Sequence, residues 1–262
     1  MTTPPVKRET IEIQKELFSE RSSKLDKYYD LIVGQRSWRA LLRYEAVVML
    51  AANRSGALGL WLRAKLYPRL LGGCGRNVTF GRDVVLRHPH KIVIADNVVI
   101  DDHVVLDAKG IDNAGIRIGS GVFIGRNTIL SCKNGDIVLG DRVNVGFNCE
   151  IFSANRVEVG ASTLVAAYAY LIGGDHDFAQ SDVPVLEQGR SARGIKVGTD
   201  AWLGAGVKVL DGTRVGAHAI VGTGAVVNQD VPDYAIAVGV PARVVRDRRT
   251  PPDAGSARPA TS

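Results

Sequence analysis

The sequence predicts an all-β solenoid, a parallel β-helix with an N-terminal helical segment, and three observations carry that prediction. Between Ile195 and Val227 an aliphatic residue recurs every six positions, at Val197, Leu203, Val209, Val215, Val221 and Val227. Glycine follows at Gly198, Gly204, Gly216 and Gly222, and a small or branched residue stands four after each aliphatic one, at Ala201, Val207, Thr213, Ala219 and Ala225. Six is a multiple of the strand period of two and not of the 3.6-residue helix turn, so each unit is a short extended segment plus a corner. Composition agrees: aromatics make up 6% of the 262 residues and glycines number 29, as suits a column of stacked aliphatics with tight corners.

The register runs backwards through Val159, Val165 and Leu171; Leu139, Val145 and Ile151; Ile118, Ile124 and Leu130; and Ile94, Ile100 and Leu106. Each trio is one triangular coil. The insertions DAKGIDNAGI after Leu106 and SCKNGD after Leu130 fit corners. Between Leu171 and Ile195 lies a full coil's length of chain that leaves the stack. NVTFGRDVVLRHP, before the first trio, is irregular, and after Val227 the register ends in a segment with prolines.

Three regions follow: residues 1–75, an N-terminal helical segment; 76–246, the repeat domain; and 247–262, compositionally a disordered tail. Residues 1 to about 10 hold two prolines and are expected to fray. Residues 11–33 have helical spacing, with Ile13, Leu17, Leu25 and Tyr28 as a broken apolar stripe. Residues 37–52 form a better helix, with Ser37 placed to cap it. ALGLWLRAKLYPRLLGG is a second apolar and basic segment, broken at Pro68.

Charge is unevenly placed. Residues 36–71 carry seven basic side chains (Arg36, Arg39, Arg43, Arg54, Arg63, Lys65, Arg69) against Glu45 alone, while residues 76–242 are slightly acidic. A nucleic-acid platform needs a basic face on the rigid domain, so no nucleic acid is expected. Neither apolar run reaches the length of a membrane span. Two readings of 36–71 stand side by side: a helical lid on the first coil, and an interfacial hairpin whose arginines meet anionic lipid. Cys74, Cys132 and Cys149 are odd in number and too far apart for a zinc-ligand pair, which suits reduced thiols. MTTPPVKRETIEIQKELFSE has no apolar signal core. The expected location is cytoplasmic, with membrane association on the inner face under the second reading.

The repeats, the ejected loop and the ending GVPARVVR together resemble the left-handed β-helix (hexapeptide-repeat) acyltransferase family, in its sugar O-acetyltransferase and xenobiotic acetyltransferase branch, over roughly 92–246. The resemblance implies left-handed crossovers, a homotrimer, and clefts that take acetyl-CoA or another acyl-CoA as donor and a hydroxyl-bearing acceptor. His176, in LIGGDHDF at the root of the ejected loop, matches the family's catalytic histidine. Imidazole titrates near neutral pH and can take a hydroxyl proton. Asp175 and Asp177 flank it; Asp175 is the candidate orienter, and a backbone carbonyl is the alternative.

In galactoside-type relatives an acceptor-binding asparagine lies thirty residues before the histidine, where this chain has Gly146. Asn144 and Asn148 stand on either side, and Asn148 is the candidate substitute. Trp202 in TDAWLGAG matches a tryptophan bordering the cleft, and it is too bulky for a narrow core, so it should face outward to acceptor, pantetheine or a neighbouring protomer. By resemblance, backbone groups at Ala205 and Thr223 hold the pantetheine and Arg243 and Arg246 reach the phosphates. A Thr-Lys pair of the relatives is replaced by Asn228 and Gln229, so one cationic contact is missing.

The other four histidines, His88, His90, His103 and His218, fit solvated surface. No histidine set with metal-ligand spacing surrounds His176, so no metal is expected. The function implied is acyl-CoA-dependent O-acylation of a sugar or of a polysaccharide or lipid-linked sugar. Two alternatives are N-acetylation of an amino sugar or antibiotic, and a non-catalytic β-helix scaffold.

Overall fold

A sixfold register with one aliphatic per short strand can bury its side chains only by winding, because no flat sheet shields a column of single residues. A computed structural model describes residues 6–9 and 23–250 and shows that winding. From Gly73 the chain passes through three faces in turn. Face one holds seven parallel strands from Gly73–Cys74 to Arg214–Val215. Face two runs from Thr79–Phe80 to Ala235–Val238, with Arg243–Asp247 added antiparallel at its end. Face three holds seven strands from Val85–Arg87 to Val226–Val227. This is the left-handed parallel β-helix with a short helical segment before it.

The register residues stack directly: Ile100, Ile124, Val145, Val165, Leu203 and Val221 are successive partners on face two, all with no accessible surface. The glycine after each aliphatic is required by the next coil. A Cβ at Gly198, Gly204 or Gly216 would stand 2.3–2.6 Å from a backbone nitrogen of the coil above, at Ala217, Thr223 or Asp233. At the edge between faces two and three the chain turns through left-handed residues, Asn127, Asn148, Tyr168, Gly206 and Gly224, the conformation that glycine and asparagine adopt at least cost. Each of the last four donates its amide to the coil below, at Arg126, Phe147, Ala167 and Ala205.

The helical segment closes the open end of the stack. Helix α1 (Lys24–Tyr28) runs into a π turn ending at Gly34; α2 (Trp38–Ala51) and α3 (Gly56–Leu66) follow, and Pro68 lies in a 3-10 turn (Tyr67–Arg69). The first coil has no preceding coil to take its backbone groups, and an unpaired strand edge is costly and sticky. Side chains of the cap replace the missing coil. Arg63 Nε donates to the Phe80 carbonyl at 2.9 Å, the Tyr44 hydroxyl to Leu86 at 2.9 Å and the Tyr67 hydroxyl to Val84 at 3.3 Å. The Asp83 and His88 amides donate to the Ala52 and Ile32 carbonyls. Tyr44, Val47, Ala51, Tyr67 and Leu70 continue the solenoid core without a break.

Several sequence expectations are corrected. NVTFGRDVVLRHP is a regular coil, with Thr79 paired to Val99 and Val85 to Val105. Phe80 fills its core position because the end coil faces a cap, where Tyr67 meets its ring edge-on at 5.3 Å. The register also outlasts Val227: Val231 bridges to Val215, and Ala237 pairs with Val221. Residues expected to fray include a strand, Lys7–Glu9, antiparallel to the return limb of the ejected loop at Arg190–Ala192. Ser37 occupies the N-cap position of α2 but makes no side-chain capping bond. The expected stripe at Ile13 and Leu17 lies outside the described residues, as do 251–262 of the expected tail 247–262; its first residues are ordered, with Asp247 paired to Ala235 and the Arg248 amide donating to the Tyr234 carbonyl. All three cysteines are free, with Cys132 and Cys149 buried.

His88 is buried at the cap junction rather than solvated. Its Nε2 lies 2.8 Å from the Asp30 carbonyl and so carries the proton, leaving Nδ1 enclosed without a donor. Burial, with Lys91 and Lys109 adding to it, holds the imidazole below its ordinary value against the Asp30 carbonyl and Asp107; burial and His88 itself do the same to His90. A depressed base means that the unfolded chain binds the proton first. The stability of the neutral form is therefore complete above the unfolded value and drains away as pH falls through it. Melting temperature should drop between about pH 7 and pH 5.5, and His88→Gln with His90→Gln should flatten that slope.

Candidate active site

Of the connections between faces three and one, residues 108–115 and 174–194 leave the solenoid as insertions longer than a corner. The longer starts where the strand Tyr170–Gly173 ends, turns at Gly174 (φ 159°) and runs out as Asp175–His176. It returns as Arg190–Ala192, so that His176 stands directly opposite Arg190 and Asp175 opposite Ser191. Asp211 anchors the return, accepting from the Arg193 and Gly194 amides at 2.8 Å each. Burial pushes its carboxyl above the ordinary value, against those amide bonds.

The loop and the coil edge enclose a cleft of about 890 Å³. His176 lines it with Asp177, Arg190, Arg193, Asp211 and Asn228. The imidazole is exposed. Asp175 also lines the cleft, but its Oδ1 accepts from the His176 backbone amide at 2.8 Å. Its carboxylate thus fixes the strand carrying the ring and not a ring nitrogen, as expected of adjacent residues that point to opposite sides of an extended chain. Arg190, Arg193 and Asp211 were missed at the sequence level. The signal was the basic pair in GRSARG, at the loop's return. Asn228, noted in the sequence for the cation it lacks, is a wall of this cleft.

The remaining candidates gather elsewhere. Asn148 sits at the edge between faces two and three with φ 54°, its amide on the Arg126 carbonyl. Ala205 and Thr223 lie two and three coils above it at the same edge, and the Ala205 carbonyl accepts from Gly224. There Gly206 and Gly224 leave the edge bare: a Cβ at Gly224 would meet nothing within 4 Å. One coil below Gly206, the exposed Tyr168 stands out. Trp202 faces outward from face two. Arg243 and Arg246 are exposed on the last strand.

His176 is therefore separated from this group by the width of face three. From Gly206 to Asp211 that is about 17 Å at roughly 3.3 Å per residue. Of the other histidines, His103 is exposed, and His218 is held by Asp200 at 2.9 Å and stacked on Tyr234 at 4.5 Å. Among the described residues no three His, Cys, Asp or Glu side chains converge as metal ligands.

No protein-family model matches the chain. It is 35% identical over 145 residues to a probable acetyltransferase, Rv3034c, of Mycobacterium tuberculosis, covering 55% of this chain and 48% of that one. It is 30% identical over 119 residues to WbbJ of Escherichia coli, a putative lipopolysaccharide biosynthesis O-acetyl transferase, covering 43% and 61%. The chain thus spans about half to three fifths of these relatives' length. Among solved structures, the polySia-specific acetyltransferase NeuO superposes with a TM-score of 0.52 at 19% identity, covering 71% of this chain and 88% of that one, which is a likeness of fold. In fold, and over about half of its length in sequence, the chain is thus similar to proteins named as acetyltransferases.

Proposed function

We propose that the chain is an acyl-CoA-dependent O-acyltransferase, with acetyl-CoA as its donor and a sugar hydroxyl, free or within a polysaccharide or lipid-linked sugar, as its acceptor. The observation that carries this reading is the exposed His176 imidazole lining a large polar cleft on a rigid scaffold. The ring takes the acceptor's proton as the oxygen attacks the thioester carbonyl, and the CoA sulfur leaves with the electron pair of the broken bond. Arg190, opposite His176, adds positive charge where the oxyanion develops. The naming of one relative as an O-acetyl transferase favours oxygen over nitrogen. Paired hydroxy and amino versions of one sugar, offered with acetyl-CoA, test that choice; transfer to the amine alone would reverse it.

The bare edge at Gly206 and Gly224 offers room for an extended pantetheine beside Ala205 and Thr223, with Arg243 and Arg246 as phosphate partners and Asn148 and Trp202 toward the acceptor. Since His176 lies a face away, a working site draws the histidine of one protomer to the edge of another, as in a homotrimer. Co-expressed His176→Ala and Thr223→Trp chains, each inactive alone, should recover about a quarter of wild-type activity by random assortment of two contributors per site. No recovery from a confirmed mixed oligomer would place the whole site in one protomer. Three unpaired thiols and the need for acyl-CoA suit a cytoplasmic setting.

A further inference from the structure

Helices α2 and α3 each have a buried inner side and an apolar outer one. Their inner arcs, through Tyr44, Val47 and Ala51 and through Gly59 and Arg63, are buried on the first coil. Their outer arcs carry Trp38, Leu42, Met49 and Leu50 on α2 and Leu58, Leu60 and Trp61 on α3, all exposed, Met49 to 70% and Trp38 to 64%. A helix facing water on its outer side is polar there, and a cluster of large apolar side chains in that position marks a surface that something else covers.

Charge identifies the cover. Arg39, Arg43, Arg54, Lys65 and Arg69 are exposed on or beside these helices. Glu45, the only acid of residues 36–71, is taken up by the Tyr28 hydroxyl. Arg39 lies 5.5 Å over the Trp38 ring, so cation and apolar body share one site. A second copy set against this face through its own would bring arginines onto arginines. An anionic bilayer instead offers phosphates to the cations and acyl chains to the apolar arcs. The helices have 14 and 11 residues, about 21 and 17 Å at 1.5 Å per residue, and no helix among the described residues is long and apolar enough to cross a membrane. They would lie in the headgroup plane with Trp38 and Trp61 at the interface.

We propose that the outer face of α2 and α3 docks the protein on an anionic lipid surface. The docking does not depend on the acyl-transfer reading. It is tested with the full chain and no substrate, by flotation with vesicles of phosphatidylcholine alone or mixed in equal parts with phosphatidylglycerol. The wild type should float with the mixed vesicles only and detach at high salt. Arg39→Glu with Arg43→Glu should weaken binding by on the order of tenfold or more, since each basic residue near the surface contributes separately. Leu42→Ser with Trp61→Ser should abolish it, while circular dichroism and melting stay as in the wild type because these side chains are exposed. Wild-type protein that ignores the mixed vesicles overturns the proposal, as does binding indifferent to both variants. If the apolar variant instead lowers the solution mass and vesicles are ignored, the face is a contact between copies and the lipid proposal is overturned.

Discussion

Replacing His176 by alanine should lower acyl-transfer turnover by about two to four orders of magnitude, the usual worth of a positioned general base. The fold should not notice. The ring is exposed, and the strand that carries it is held by backbone pairing to Ser191 and Arg190 and by the Asp175 carboxylate on the His176 amide. The loss should therefore appear in kcat, with donor KM and oligomeric mass unchanged, which removes an interaction made only in the transition state. Asp175→Asn keeps an oxygen that can accept the same amide and should stay within about tenfold of wild type, a smaller loss than a ring-orienting partner would give. Retention of wild-type turnover by His176→Ala would take His176 out of the reaction.

The contrast between Asp175 and Arg190 shows which part of the site a sequence can carry. Asp175 is next to His176 in the chain, so proximity alone made it the candidate orienter, yet alternation along the strand turns its carboxylate to the backbone. Arg190 is fourteen positions away in sequence and directly opposite in space, because the loop folds back on itself with a register set by its own length. Nothing periodic announces that return. The coils differ. One aliphatic per face with the next at the sixth position fixes which residues stack, so the register from Ile94 to Val227 is legible residue by residue, although its hand is not. It stops being legible where a different neighbour relaxes the rule: Phe80 next to the cap, Val231 in a shortened last coil, Lys7–Glu9 on the loop's return limb.

The cap also separates what charge counting can and cannot show. The excess of basic residues over 36–71 is plain in the sequence, and it suggested both a lid and a lipid contact. Which arginine serves which was not legible, since Arg63 looks like its neighbours until α3 is set on the first coil. In the stack, cap and cleft lie at different heights. Face three joins Val85–Arg87 to Tyr170–Gly173 through four strand steps, about 19 Å at roughly 4.8 Å each. A lipid-docked cap, itself a helix thick, would thus hold the cleft farther than that from the surface.

Arg63→Ala should cost about 3 kcal/mol or more of stability, since each buried acceptor left without its donor costs about 1–3 kcal/mol. Arg63 is 2% exposed. Its Nε donates to Phe80 and its Nη1 to Ala51 and Arg54, at 2.9, 3.1 and 2.6 Å. Two of those carbonyls lie at or just beyond the C-terminal end of α2, where a helix leaves its last acceptors unsatisfied and a cation is favoured. The third is the edge of the first coil. One guanidinium thus joins α2, α3 and the solenoid, and alanine would leave its three acceptors enclosed together with a cavity of the side chain's size. Arg63→Lys keeps the charge but not the planar fork and should recover only part of the loss. The loosened cap exposes the strand edge at Thr79–Phe80 and Val85–Arg87, a template for pairing with other chains. Chemical denaturation should show the drop in midpoint, and light scattering the association that follows; a melting curve unchanged by Arg63→Ala would mean that the first coil closes without its cap.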